Sequence, residues 1–165
     1  MTTIVYDHKS KQIAIDSRVT AGTLISSNDA AKWVENDNGH WFLCGTTADY
    51  SQLIEMTHND KPEVQPDSSA IMANSDGVWL VCFNGDYCCH APLDHSRAIG
   101  SGADFALAAL DHGKSAKEAV EYAMTRDTGT GGKVHVFNVE AMEFIDSYRS
   151  SGGVVDTSKG YIVGE

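Results

Sequence analysis

Short apolar runs separated by polar turns dominate the first hundred residues of this 165-residue chain. Thr3 to Tyr6 and Gln12 to Ile15 are β-type runs joined by the polar turn His8-Lys9-Ser10-Lys11. Ile13 and Ile15 share one face at the two-residue period of a strand. Asp16 to Gly22 reads as loop-rich, followed by an extended piece reaching Ile25. Trp41-Phe42-Leu43-Cys44, stopped by Gly45, has the form of a buried strand, and Tyr50, Leu53 and Ile54 then recur at helical spacing. A short helix is expected from about Ala48. Thr57 to Asp67 holds two of the three prolines and reads as a connection. Ser69 to Ala73, Val78 to Phe83 and Tyr87 to His90 follow as consecutive strands, joined by Asn74-Ser75-Asp76-Gly77 and by Asn84-Gly85, a strong hairpin signal.

The period then changes. A helix is expected over Ala103 to Asp111, with Phe105, Leu107, Ala108 and Leu110 supplying bulk. A second begins at Ser115-Ala116-Lys117-Glu118, where the Ser and Glu spacing fits a capping box, and buries Val120, Ala123 and Met124. Gly129 to Gly132 breaks the pattern, and Val134 to Phe137 returns to strand. From Ser150 the chain is rich in Gly and Ser, so residues 1–149 are expected as one domain and 150–165 as a tail. Strands, helix, strands, two helices and strands make an α+β order, which fits two sheets with helices packed outside them.

Composition narrows the function classes. A hydrophobic content of 42% is sufficient for a core. The formal charge of −11 disfavours nucleic acid, whose phosphates the summed field repels. No apolar stretch approaches the ~18 residues of a membrane span. The N-terminus lacks a basic region followed by an apolar stretch, so a cytoplasmic protein is expected. Cys44, Cys82, Cys88 and Cys89 show no C-x-x-C spacing, and strand alternation divides Cys88, Cys89, His90 and His95 between faces. Neither a metal site nor a cofactor is expected. Gly131-Gly132-Lys133 lacks the upstream glycine of a P-loop and continues with Val134.

Candidate chemistry begins at Thr2. Methionine aminopeptidase removes Met1 efficiently when the next side chain is small. The product would carry a hydroxyl and an α-amine on one residue. With a pKa of about 7.7–8.0, that amine is a fair base near neutral pH. Thr2 would then be nucleophile and base together.

Thr2-Thr3-Ile4-Val5 followed by Asp16-Ser17-Arg18-Val19-Thr20-Ala21-Gly22 resembles the mature N-terminus of proteasome β-type subunits and their HslV-like relatives, the N-terminal-nucleophile threonine hydrolases. The resemblance continues at Lys32, at Cys44-Gly45-Thr46-Thr47-Ala48-Asp49, at Ile99-Gly100-Ser101-Gly102 and at Arg126-Asp127-Thr128-Gly129-Thr130-Gly131-Gly132, all in the family's order. It implies a four-layer αββα sandwich of two antiparallel sheets. It also implies a threonine-type endopeptidase that cleaves peptide bonds through an acyl-enzyme on Thr2 after Met1 removal. By the same resemblance Lys32 would sit beside the hydroxyl with Asp16 orienting it. The backbone N–H of Gly45 would stabilise the oxyanion. Ser101, Asp127 and Thr130 would surround the terminal amine, with Thr130 where the family usually has serine. Thr20, Gly45 and Thr47 would pair with substrate backbone. Val19, Ala30, Val34 and Leu43 would line an apolar, uncharged specificity pocket.

The chain is short for this family between Asp49 and Ser69, where members usually place two long helices, so one helical layer is expected to be reduced. The implied substrate is a peptide or unfolded protein, the implied assembly a homo-oligomer (a ring among the options), and the implied partner an ATP-dependent unfoldase. Two other classes stay open at this point: a non-catalytic structural protein that keeps the fold for assembly, and a small-molecule amidase on the same scaffold.

Overall fold

Strand alternation sorts the apolar side chains onto two faces of each of two five-stranded antiparallel sheets. The computed structural model describes residues 1–145, so the expected tail and the domain boundary at residue 149 lie outside the described residues. The first sheet has the order β10-β1-β2-β11-β12, with β1 at Thr3–Asp7, β2 at Gln12–Ile15, β10 at Arg97–Gly100, β11 at His135–Asn138 and β12 at Glu143–Phe144. The second runs β5 to β9 in sequence order, through Trp33–Asn36, Gly39–Gly45, Ser68–Asn74, Gly77–Asn84 and Tyr87–Pro92. A separate ribbon pairs β3, Val19–Ala21, with β4, Leu24–Ser27.

Ile4, Tyr6, Ile13 and Ile15 point from the first sheet toward Phe42, Cys44, Ile71 and Ala73 of the second, and Phe137 completes this central layer. Each such fully buried side chain contributes about 1.5–3 kcal/mol. The opposite face of the first sheet carries the smaller Val5, Ala14 and Val136, and the helices α2, Ala103–Asp111, and α3, Ala116–Met124, lie on it. The outer face of the second sheet carries Val34, Trp41, Leu43, Ala70, Met72 and Val81. Its cover is thin: a 3-10 turn at Thr47–Asp49 and the six-residue helix α1, Tyr50–Glu55, with Leu53 and Met56 buried against it. The architecture is the four-layer αββα sandwich with one helical layer reduced.

The shortened segment after α1 partly compensates. Asn59 N–H donates to the Cys88 carbonyl and Cys88 N–H donates to the Asp60 carbonyl, both at 2.8 Å, so the connection pairs along the free edge of β9. That closes an edge that would otherwise present unpaired backbone groups.

Some local expectations need correction. The stretch over Asp16–Gly22 is not all loop, because Val19–Ala21 pairs with β4. Strands β5 and β10 were not anticipated, although Trp33-Val34 supplies aromatic and β-branched residues. In α2 the buried residues are Ala106 and Ala109, while Phe105 is 40% exposed. The reason is steric: Ala106, Ala109, Ala116, Ala119 and Ala123 form a seam of small side chains that brings both helices close to the sheet.

The capping box at α3 is present in both directions, with the Ser115 hydroxyl accepting from Glu118 N–H and Glu118 accepting from Ser115 N–H. Ser115→Ala is expected to destabilise the protein by about 1 kcal/mol, lowering Tm by about 2–4 °C in a thermal melt followed by circular dichroism.

Candidate active site

Strand β1 begins at the edge of the central layer, which buries both residues at its start: Thr2 is 1% exposed and Thr3 fully buried. Asp16 follows β2 beside it with no exposure at all. A buried carboxylate requires donors, and Asp16 has four. Its Oδ1 accepts from Thr3 N–H at 2.9 Å and from Lys32 Nζ at 2.7 Å. Its Oδ2 accepts from Gly131 N–H at 2.9 Å and from Arg18 N–H at 3.3 Å.

Lys32 precedes β5 and is 3% exposed. Besides Asp16, its ammonium donates to the Arg18 carbonyl at 2.9 Å and to the Met1 carbonyl at 3.4 Å. Three protons thus meet three acceptors. Burial lowers the Lys32 pKa, and Asp16 opposes that shift through its charge and hydrogen bond.

A second cluster lies behind the backbone of β1. Asp127 Oδ2 accepts from the hydroxyls of Ser101, at 2.6 Å, and Thr130, at 2.5 Å, while its Oδ1 accepts from Gly129 N–H at 3.3 Å. Burial pushes the Asp127 carboxyl up, but these hydrogen bonds outweigh it and hold the group below its ordinary value. Because the Thr130 proton goes to Asp127, the bond between Thr3 and Thr130 is donated by the Thr3 hydroxyl. Thr3 Oγ1 in turn accepts from Gly102 N–H at 3.1 Å. Gly102 has no room for a side chain, since a Cβ would meet the hydroxyls of both Thr3 and Thr130. Ser101 N–H donates to the Thr2 carbonyl at 2.9 Å, tying the cluster to the candidate nucleophile.

Thr2, Lys32, Gly45, Thr20, Thr47 and Val19 border one cleft, together with Met1, Thr46, Tyr50 and Asp67. Gly45 ends β6 at φ +103, and a Cβ there would collide with the Asp67 carbonyl, so only glycine suits the position. Ala30, Val34 and Leu43, expected on a pocket wall, are buried without bordering this cleft. Lys32 and Asp67 do border it, so the surroundings are not free of charge.

Three residues near the site were not singled out from sequence. Thr3 links the two clusters through its hydroxyl and N–H. Arg18 extends its guanidinium across the 128–131 loop, donating to the Asn28 side chain at 2.9 Å and the Thr128 carbonyl at 3.0 Å. Tyr50 is 3% exposed, donates to the Leu43 carbonyl at 3.3 Å and borders the same cleft as Thr2. Burial above all, then the charges of Cys44 and Asp16, raise its pKa, so the hydroxyl keeps its proton. The spacing of Tyr50 with Leu53 marks it as a core residue, and nothing in that spacing tells where its hydroxyl goes. Among the described residues no three His, Cys, Asp or Glu side chains gather as a metal site.

Solved structures show the same architecture. HslV from Trypanosoma brucei superposes with a TM-score of 0.62 at 22% identity, covering 82% of this chain and 97% of that one. BPH from Thiobacillus denitrificans in complex with epoxomicin gives 0.60 at 19% identity, covering 82% and 97%. A second BPH structure gives 0.58 at 19% identity, covering 82% and 95%. The chain has the fold of these proteins. No protein-family model and no curated protein sequence matches it.

Breaking the buried pair tests its weight. Asp16→Asn leaves the Lys32 ammonium buried without a counter-charge and is expected to remove about 3–5 kcal/mol of stability, read from urea denaturation. For Asp127 the native pKa lies below its ordinary 3.8. Its contribution to stability is therefore complete above that value and lost as pH falls through the lower native one. Ser101→Ala removes one donor and should move the Asp127 pKa upward, measured by carboxyl 13C NMR titration.

Proposed function

We propose that this chain is a proteasome-like, HslV-like N-terminal-nucleophile hydrolase, a threonine-type endopeptidase acting through Thr2 once Met1 has been removed. The observation that carries the reading is the shared cleft of Thr2, Lys32 and Gly45, with Lys32 fastened from behind by the fully buried Asp16. A non-catalytic sandwich has no use for a buried lysine–aspartate pair placed at the cleft that Thr2 borders, because burying two charges is costly.

The chemistry follows from these groups. Removal of Met1 frees the Thr2 α-amine, which accepts the hydroxyl proton directly or through one water. The Lys32 charge favours the developing alkoxide. Thr2 Oγ1 attacks the substrate carbonyl, and the oxyanion takes the Gly45 N–H. Collapse expels the leaving amine with the proton held by the α-amine. Water then hydrolyses the ester on Thr2. Ser101, Asp127 and Thr130 fix the position and protonation of the α-amine. Thr20, Gly45 and Thr47 supply backbone pairing for an extended peptide. None of these steps calls for a cofactor.

Assembly belongs to the same reading. Leu24 and Ile25 on the β3–β4 ribbon are 71% and 52% exposed, an apolar edge suited to a neighbouring copy. A homo-oligomer would shield the cleft, and an ATP-dependent unfoldase is the partner that the resemblance supplies for folded substrates. Among the described residues no helix is long and apolar enough to cross a membrane. We place the protein in the cytoplasm.

Epoxomicin, a peptide epoxyketone present in the BPH complex, serves as the probe. Incubated with Met1-free protein, it is expected to add one inhibitor mass to Thr2, read by intact mass spectrometry, and Thr2→Ala is expected to stay unmodified. Lys32→Ala should slow the reaction by about 10²–10⁴-fold. A Met1-free protein that never forms the adduct would overturn the assignment.

A further inference from the structure

We propose that Cys82 and Cys89 form a thiol–disulfide exchange site, a facing pair of thiols that a small-molecule disulfide converts reversibly into an intramolecular bond. Neither residue borders the cleft of Thr2, and the inference does not depend on the peptidase reading. Cys82 on β8 and Cys89 on β9 are direct partners in the antiparallel register. Residues opposed in this way project to one face of a sheet. Here it is the face of Val78, which packs in the central layer, whereas Cys88 belongs to the outer cluster. All four cysteines of the chain are unbridged, but Cys44 and Cys88 are buried and only Cys82 and Cys89 are partly exposed. The two thiols also feel each other's charge. Burial first, and then Cys89, raise the Cys82 pKa, while Arg97 opposes the shift.

Backbone hydrogen bonding fixes how far apart the pair stands. Cys88 N–H donates to the Asp60 carbonyl and the Cys88 carbonyl accepts from Asn59 N–H, both on the side away from β8. Its pair with Phe83 is therefore a non-hydrogen-bonded one, and the next pair, Cys82 with Cys89, exchanges both ladder bonds. The tight turn at Gly85-Asp86, with Gly85 at φ +60, holds this register. Cα atoms of such a pair stand about 5.5 Å apart, inside the ~4.4–6.8 Å range of disulfides. Their Cβ atoms stand about 4.5–5.5 Å apart, at or beyond the ~3.5–4.5 Å that a relaxed disulfide takes. The bond can form, but only by drawing the two strands together. Strain of that kind, on a partly exposed bond, makes a disulfide easy to reduce.

Oxidised glutathione serves as the disulfide. One cysteine thiolate attacks a glutathione sulfur, forming a mixed disulfide and releasing a glutathione thiolate, which takes up the proton the cysteine lost. The second cysteine thiolate attacks the protein sulfur of that mixed disulfide, forming the Cys82–Cys89 bond and expelling the other glutathione in the same way. The protein loses two hydrogens, and the oxidised glutathione is reduced to two thiols.

The full-length protein is incubated with oxidised glutathione at about pH 8.5, the ordinary thiol value. Intact mass is read under non-reducing conditions, and peptide mapping locates the bond. The expected product is a single chain lighter by two hydrogens, bridged from Cys82 to Cys89, with Cys44 and Cys88 still free to be alkylated after unfolding. Cys82→Ser and Cys89→Ser are each expected to stop at the mixed disulfide, heavier by one glutathionyl group on the remaining cysteine. Excess reduced glutathione is expected to reopen the wild-type bond. Four thiols that stay free, glutathione retained on either cysteine without closure, a bond between any other pair, or a closed form that resists reduced glutathione would each overturn the proposal. The wild-type products decide the matter even where a serine variant folds poorly. Epoxomicin labelling of Thr2 is read separately, so either assignment can fail alone.

Discussion

The Asp16 carboxylate is the point on which the rest of the site depends. It is fully buried and accepts from four different regions of the chain: the start of β1 through Thr3, the segment after β2 through Arg18, the approach to β5 through Lys32, and the 128–131 loop through Gly131. A charge buried this deeply is tolerable only when its acceptor sites are filled. Each partner is therefore held to a fraction of an ångström by the others' demand. Lys32 inherits its position from that constraint, and Thr2 inherits its position from the neighbouring Thr3.

Around this centre the fold divides its work. The small-residue seam of α2 and α3 supports the back of the first sheet, where a shift would displace β1 and β2 together. The second sheet supplies Gly45 at the end of β6 and Tyr50 just beyond it. The thin cover on that sheet's outer face leaves Tyr50 as both a core residue and a cleft residue.

Much of the central architecture could be read from the chain itself. Strand alternation located β1, β2, β7, β8 and β9, and the Ser115–Glu118 spacing located the start of α3. The ordered motifs brought Asp16, Lys32, Gly45, Ser101, Asp127 and Thr130 into view as one group. What stayed hidden depends on contacts between distant residues. Ala106 and Ala109 face the sheet because the seam is narrow, a fact set by Ala119 and Ala123 on the other helix. Ala30, Val34 and Leu43 have the chemistry of a pocket wall, yet the fold buries them away from the cleft. Tyr50 itself has the helical spacing of any core tyrosine, and only the fold shows that it borders the cleft of Thr2.

The way β1 is secured has a bearing on the proposed removal of Met1. Thr3, rather than Thr2, holds the hydrogen bonds to Asp16, Gly102 and Thr130, whereas Met1 contributes only a carbonyl to Lys32 and an amine to Thr20 at 3.4 Å each. Excision of the first residue therefore subtracts two long, peripheral bonds and leaves the framework intact. The forms before and after that excision would differ by one unmasked amine and one vacated acceptor of the lysine. On the proposed reading, activation would be a local chemical edit of a framework that is already assembled.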